Sequence, residues 1–222
     1  MPRLFWIPLL ALALIATAQD ATPPPLNRAP TERVGTLPPD TLIISQRAAE
    51  AFGKKDWPAA RAAYQEMLKS DPENALSWAN LGAVEQQAGN IDEAIACFSK
   101  SVRFNPQISQ TWSALGLLHS NKGDTYLAIS MFTRAIHEDP ADARAHNYLA
   151  IAAKTLGWAD TAETELLRAI ELDPSYGLAY FNLSLMYLNQ TPPAIELAKR
   201  HYEKALALGV AKDEIIERKL KE

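Results

Sequence analysis

From residue 41 onward, apolar residues recur every three or four positions in stretches of about 13 residues, separated by short polar or glycine-bearing breaks. That spacing gathers the apolar side chains into one stripe along an α-helix. The breaks alternate between two kinds. Asp71-Pro72, Asn105-Pro106, Asp139-Pro140 and Asp173-Pro174 form the first kind, and their prolines lie 34 residues apart. The residue before a proline is pushed out of helical geometry, so each pair marks a helix end. Gly89-Asn90, Gly123-Asp124 and Gly157-Trp158 form the second kind. A glycine there closes one helix with a positive φ, and Asn90 and Asp124 are placed to cap the next. Asn90 followed by Glu93 fits a capping box, with Asn in place of Ser or Thr. The repeating unit is therefore a helical hairpin.

Equivalent positions in successive hairpins carry side chains of similar bulk. Trp78, Trp112, His146 and Tyr180 open the first helices with rings, which wedge between neighbours. Gly82, Gly116, Ala150 and Ser184 follow one turn later, and Ala60, Ala94, Ala128, Ala162 and Ala198 recur in the second helices. Small residues at both places let two helices approach closely. Tyr64, Phe98, Phe132, Leu166 and Tyr202 stand four residues beyond those alanines, on the same face, and fill the space beside the contact.

The W-x-x-L-G segments Trp78-Ala79-Asn80-Leu81-Gly82 and Trp112-Ser113-Ala114-Leu115-Gly116, with Ala, Phe and Pro at the offsets above, resemble tetratricopeptide repeats. The resemblance covers residues 41–208 as five units: 41–74, 75–108, 109–142, 143–176 and 177–208. It implies an all-α fold, a right-handed α-solenoid of helix-turn-helix repeats. The first unit is the weakest match, and its opening helix is expected from Thr41 to Phe52. In the last unit Thr191-Pro192-Pro193 replaces the glycine turn and adds two residues. Gly209 stands where the closing proline would be, and residues 209–222, with Ile215, Ile216 and Leu220 among charges, read as a solvating C-terminal cap helix.

In this family the first helices line a concave face where ligands bind. The resemblance projects that face here onto Ser45 and Ala49, then Ala79, Asn80, Ala83, Gln86 and Gln87. It continues through Gln110, Ser113, Leu117 and Asn121, through Arg144, Asn147, Ile151 and Lys154, and ends with Phe181, Asn182 and Leu185. The candidate ligand-binding set is Asn80, Gln87, Gln110, Ser113, Asn121, Arg144, Asn147, Lys154 and Asn182. Amides and hydroxyls of this kind bond a peptide backbone. With only Arg144 and Lys154 cationic, a clamp for a chaperone's terminal carboxylate is not expected.

The N-terminal 40 residues are of another character. Met1-Pro2-Arg3 precedes an apolar run from Leu4 to Ala16 that ends in Ala16-Thr17-Ala18, the layout of a secretory signal peptide cleaved before Gln19. The run is short of the ~20 apolar residues that span a bilayer, so an uncleaved anchor is the lesser reading. The mature chain is expected not to insert in a membrane. Residues 19–40 carry Pro23-Pro24-Pro25, Pro30 and Pro38-Pro39 with few large apolar residues, which reads as an extended spacer.

Charge and chemistry narrow the function. The formal net charge is -4, and no basic stripe suits nucleic acid. Cys97 is the single cysteine, so no internal disulfide forms, and its place on a second helix reads as a small half-buried hydrophobe. His119, His137, His146 and His201 show no metal-ligand spacing, no phosphate-loop or nucleophile-elbow motif occurs, and no cofactor is indicated. His119 and His146 fall in packing slots. Asp92-Glu93, and Asp160 with Glu163, sit where carboxylates favour helix starts. Trp158 is either a packing plug in its turn or an exposed partner contact, and the plug is preferred. The chain thus reads as a non-catalytic scaffold or adaptor of the cell envelope that binds a protein or peptide. An accessory binding subunit for an envelope enzyme acting on peptidoglycan or polysaccharide, and a self-assembling solenoid, are the alternatives.

Overall fold

The computed structural model describes residues 39–220, with side chains from Leu42 onward. The expected leader and the spacer up to residue 38 lie outside the described residues. Among the described residues there are eleven α-helices and no strand. They fall into two compact units that divide between Phe104 and Asn105.

The first unit holds α1 (Pro39–Gly53), α2 (Trp57–Ser70), α3 (Ala75–Gln87) and α4 (Ile91–Phe104). Consecutive helices pack against one another, α1 on α2, α2 on α3 and α3 on α4. Ala48, Phe52, Ala60, Tyr64, Leu81 and Val84 join one buried core, which Trp57 and Trp78 border. Gly82 explains the close approach of α3 and α4, because a Cβ there would lie 2.7 Å from the Phe98 ring. The close approach expected from a small residue at this position is therefore present, and it is the Phe98 ring that occupies the space a side chain would take.

The second unit holds α5 (Ser109–Asn121), α6 (Thr125–Glu138), α7 (Ala143–Thr155), α8 (Ala159–Leu172), α9 (Gly177–Leu188), α10 (Ile195–Ala207) and α11 (Glu214–Lys219). Each helix from α5 to α9 packs on the next, and α5 also touches α7, the two being first helices of adjacent hairpins. Gly116 repeats the device, with a Cβ position 2.5 Å from the Phe132 ring. Ala128, Ala162 and Ala198 are fully buried, and Phe132, Leu166 and Tyr202 nearly so. α11 closes this unit by burying Ile216, and Asp213 caps it by accepting from Ile215 N and Ile216 N.

The turns obey the glycine logic. Gly89, Gly123 and Gly157 have φ of 84°, 85° and 78°, and the residue after each donates back to the carbonyl five positions before it, as Asn90 N does to Glu85 O at 2.8 Å. That is the Schellman closure of a helix. In the first hairpin the same site is Lys55, a non-glycine at φ 58°. The caps differ from expectation in one place. Asp124 stands at the N-cap of α6, but its side chain makes no cap bond. Its carboxylate lies instead 3.3 Å from His119 Nδ1, since the imidazole one turn back competes for it. Asn90 in addition ties its turn to the helix before it, donating from Nδ2 to Glu85 at 2.7 Å.

Candidate functional site

The candidate face is carried by first helices, whose second-helix partners bury their opposite sides. In the first unit, Asn80 on α3 is half-buried and Gln87 is exposed. Ser45 and Gln86 are half-buried too, Ala49 is exposed, and Ala79 is buried. Both candidate amides are thus at the surface of that unit.

In the second unit the outcome varies along the face. Gln110 on α5 is half-buried and Asn121 exposed, while Ser113 is buried and its Oγ has no hydrogen-bond partner among the described residues. On α7, Asn147 is almost fully buried. Its Oδ1 accepts from Asn182 Nδ2 of α9 at 2.8 Å, and its Nδ2 donates to the Tyr176 hydroxyl at 3.3 Å. The structure therefore brings Asn147 and Asn182 together, 35 residues apart in sequence. A buried amide with both ends engaged positions its neighbours, so Asn147 holds the face together from beneath. Asn182 remains half-buried, as are Leu117, Ile151 and Leu185 on their own helices, while Phe181 is buried.

The two cations also differ. Arg144 is exposed and sits 3.7 Å from Asp142, whose carboxylate already accepts from Arg144 N and Ala145 N. Lys154 is half-buried with no ion-pair partner among the described residues. Burial lowers its pKa from the ordinary lysine value, and the like charge of Lys219 lowers it further. Lys219 lies on α11 and donates to Asn189 Oδ1 at 3.3 Å. Tyr176, Lys219 and Asn189 are participants that sequence reasoning missed. Tyr176 sits in a loop outside the helical slots, and no periodicity links Lys219 to Lys154.

Elsewhere, Trp158 corrects the expectation of a plug. It is 45% exposed and meets Tyr126, itself 69% exposed, edge to face at 6.3 Å. At the N-cap of α8 the indole stays at the surface, where it meets another exposed ring. Cys97 is buried, and burial first, then the Glu85 charge, pushes its thiol pKa up to about 11. His201 stacks on Tyr187 at 5.6 Å, and burial holds its pKa below the ordinary imidazole value. Among the described residues no group of three or more His, Cys, Asp or Glu is placed to hold a metal. No helix among them is long and apolar enough to cross a membrane.

The tetratricopeptide repeat model matches residues 46–107 and 113–176, more than half of the chain. The chain belongs to the tetratricopeptide repeat family. Its fold class is the all-α solenoid of helix-turn-helix repeats that this family shares. No curated protein sequence matches it significantly. Among solved structures, it is similar to MamA, with 24% identity over 79% of this chain and 97% of that one at a TM-score of 0.65. It is similar to YrrB, described as a TPR protein with an unusual peptide-binding site, with 21% identity over 82% and 92% and a TM-score of 0.64. PilW, described as a widely conserved type IV pilus biogenesis factor, matches with 21% identity over 83% and 87% at a TM-score of 0.72. At these identities the likeness is one of fold.

Proposed function

We propose that this tetratricopeptide repeat protein is a non-catalytic interaction scaffold whose second unit binds a peptide or a loop of a partner protein on the face of α5, α7 and α9. The observation that carries the reading is the set of polar groups that the fold brings to the surface on those helices. Gln110, Asn121 and Asn182 reach the surface, and Lys154 holds a half-buried charge with no acidic partner among the described residues. A buried lysine without a counter-charge destabilises its own charged form, so a partner that supplies an acceptor there gains affinity from relieving it. The likeness in fold to a structure titled for its peptide-binding site supports the same reading. Asn80 and Gln87 offer similar chemistry on the first unit.

The leader motif in residues 1–18 places this activity outside the cytoplasm in our reading, in the cell envelope. N-terminal sequencing of the protein from its native cells checks this, with Gln19 expected as the first residue. For the face itself, a photo-crosslinking residue at Gln110 or Asn182 is expected to capture a defined partner that the same group at Glu171 on α8 does not. Equal capture from both positions sinks the assignment.

A further inference from the structure

α7 carries Arg144, Asn147 and Lys154 of the candidate face, and its opening ring differs in kind from those of α3 and α5. Trp78 and Trp112 each donate their indole N–H to the carbonyl of Pro72 and Pro106, at 2.8 and 2.7 Å. An indole has one donor and no proton to lose near neutrality. His146 takes the same slot and puts Nε2 3.3 Å from the Pro140 carbonyl oxygen. Its second nitrogen, Nδ1, lies 2.6 Å from Glu165 Oε2 on α8. Both ring nitrogens therefore face acceptors. A neutral imidazole owns a single N–H, so in either tautomer one nitrogen lone pair would point at an oxygen lone pair. Only the imidazolium satisfies both contacts.

The burial of the site makes that difference count. The His146 side chain is 9% exposed and that of Glu165 22%, so water replaces a lost bond poorly. The charged groups acting on the ring are Glu165 and Arg168, both from α8, and the neutral Pro140 carbonyl comes from the preceding loop. On α7 itself, Arg144 pairs with Asp142, and on α6 Arg134 pairs with Glu138 at 2.5 Å. The hydrogen bond to Glu165 raises the His146 pKa above the ordinary 6.5, burial opposes it, and the Pro140 bond and Glu165 charge add to it against Arg168.

We propose that the proton on His146 is a switch that ties α7 to α8 and to the loop before it, and so regulates the binding face. Resting on the scaffold reading above, the link acts through the next residue, Asn147, whose amide holds Asn182 and Tyr176. A histidine with a raised folded-state pKa contributes stability that is fully present below 6.5, its unfolded value, and is lost as pH rises through the raised value. The face is thus clasped below pH 6.5 and loosened as pH rises through the raised value.

The test follows the imidazole nitrogens of the full chain by NMR over about pH 5 to 9, beside the Asn147 and Asn182 side-chain amides and the α7 amide exchange rates. The expected result is an imidazolium at pH 6 that titrates above 6.5. The two asparagine amides should shift on the same curve, and α7 exchange should rise on the order of tenfold beyond intrinsic base catalysis. His146→Trp, the residue of the equivalent slots, should abolish the coupled shifts. A neutral single-N–H tautomer at pH 6, a midpoint at or below 6.5, or asparagine signals indifferent to the titration would overturn the switch. Coupled shifts alongside partner capture that is unchanged across the same pH range would overturn the control of the binding face, whereas no partner capture at any pH would sink the binding face itself.

Discussion

The guanidinium of Arg61 on α2 grips both carboxylate oxygens of Glu85 on α3, Nε to Oε1 at 2.5 Å and Nη2 to Oε2 at 2.6 Å. Glu85 is only 5% exposed, and Asn90 donates a third bond to it. The pair thus joins two helices of the first unit through an almost buried charge. Arg61→Leu leaves that carboxylate without its cation and is expected to destabilise the unit by about 1–3 kcal/mol, less than the roughly 3–5 kcal/mol of a fully buried broken pair because Arg61 is itself partly solvated. The bond to Arg61 depresses the Glu85 pKa below the ordinary 4.5, against an opposing push from burial. The contribution is therefore present above pH 4.5 and lost as pH falls through the depressed value. Urea unfolding at neutral and acid pH checks this: equal losses for Arg61→Leu at both would contradict it.

Gly116 leaves no room for a side chain against Phe132. Alanine there gains helix propensity of about 1 kcal/mol but forces the ring or the helices apart, and overpacking typically costs about 1–3 kcal/mol. The expected net result for Gly116→Ala is a lower melting temperature, recovered in part by Phe132→Leu. A variant that melts at or above the unaltered chain would show that α5 and α6 do not need this closeness.

Lys55 holds the left-handed turn that glycine holds in the next three hairpins. A side chain in that conformation costs about 1–2 kcal/mol, some of which glycine returns through its greater freedom when unfolded. Lys55→Gly should therefore stabilise the first unit by about 0.5–1 kcal/mol. Calorimetry of the two proteins decides it.

The Cys97 thiol, buried with its pKa pushed up to about 11, should resist alkylation in the folded chain at mildly alkaline pH and react at once in denaturant, since the thiolate is the reactive form. Rapid labelling of the native protein with a colorimetric disulfide reagent would place the sulfur at the surface.

Much of this architecture was legible because its causes are local. Proline after Asp or Asn ends a helix wherever it occurs, and Gly89, Gly123 and Gly157 take the positive φ that their positions demand. The candidate face was legible only as a set of slots. Asn147 fell in the right slot, yet it is buried and bonded to Asn182 and Tyr176, and nothing in its neighbours along the chain announces that. Trp158 shows the opposite error: a large ring in a turn reads as a plug, but its exposure depends on how far the adjacent hairpin reaches, and it stays at the surface beside Tyr126.

By itself the sequence determined the period of 34, the two helices of each hairpin and the alternation of small and bulky side chains that nests them. These follow from backbone preferences and from volume, which are properties of short segments. The tertiary structure alone decided which polar groups meet. The His146 contact with Glu165 spans 19 residues and that of Asn147 with Asn182 spans 35. Hydrogen bonds act only within about 3 Å and in fixed directions, so such partnerships exist only after packing has set the distance between helices.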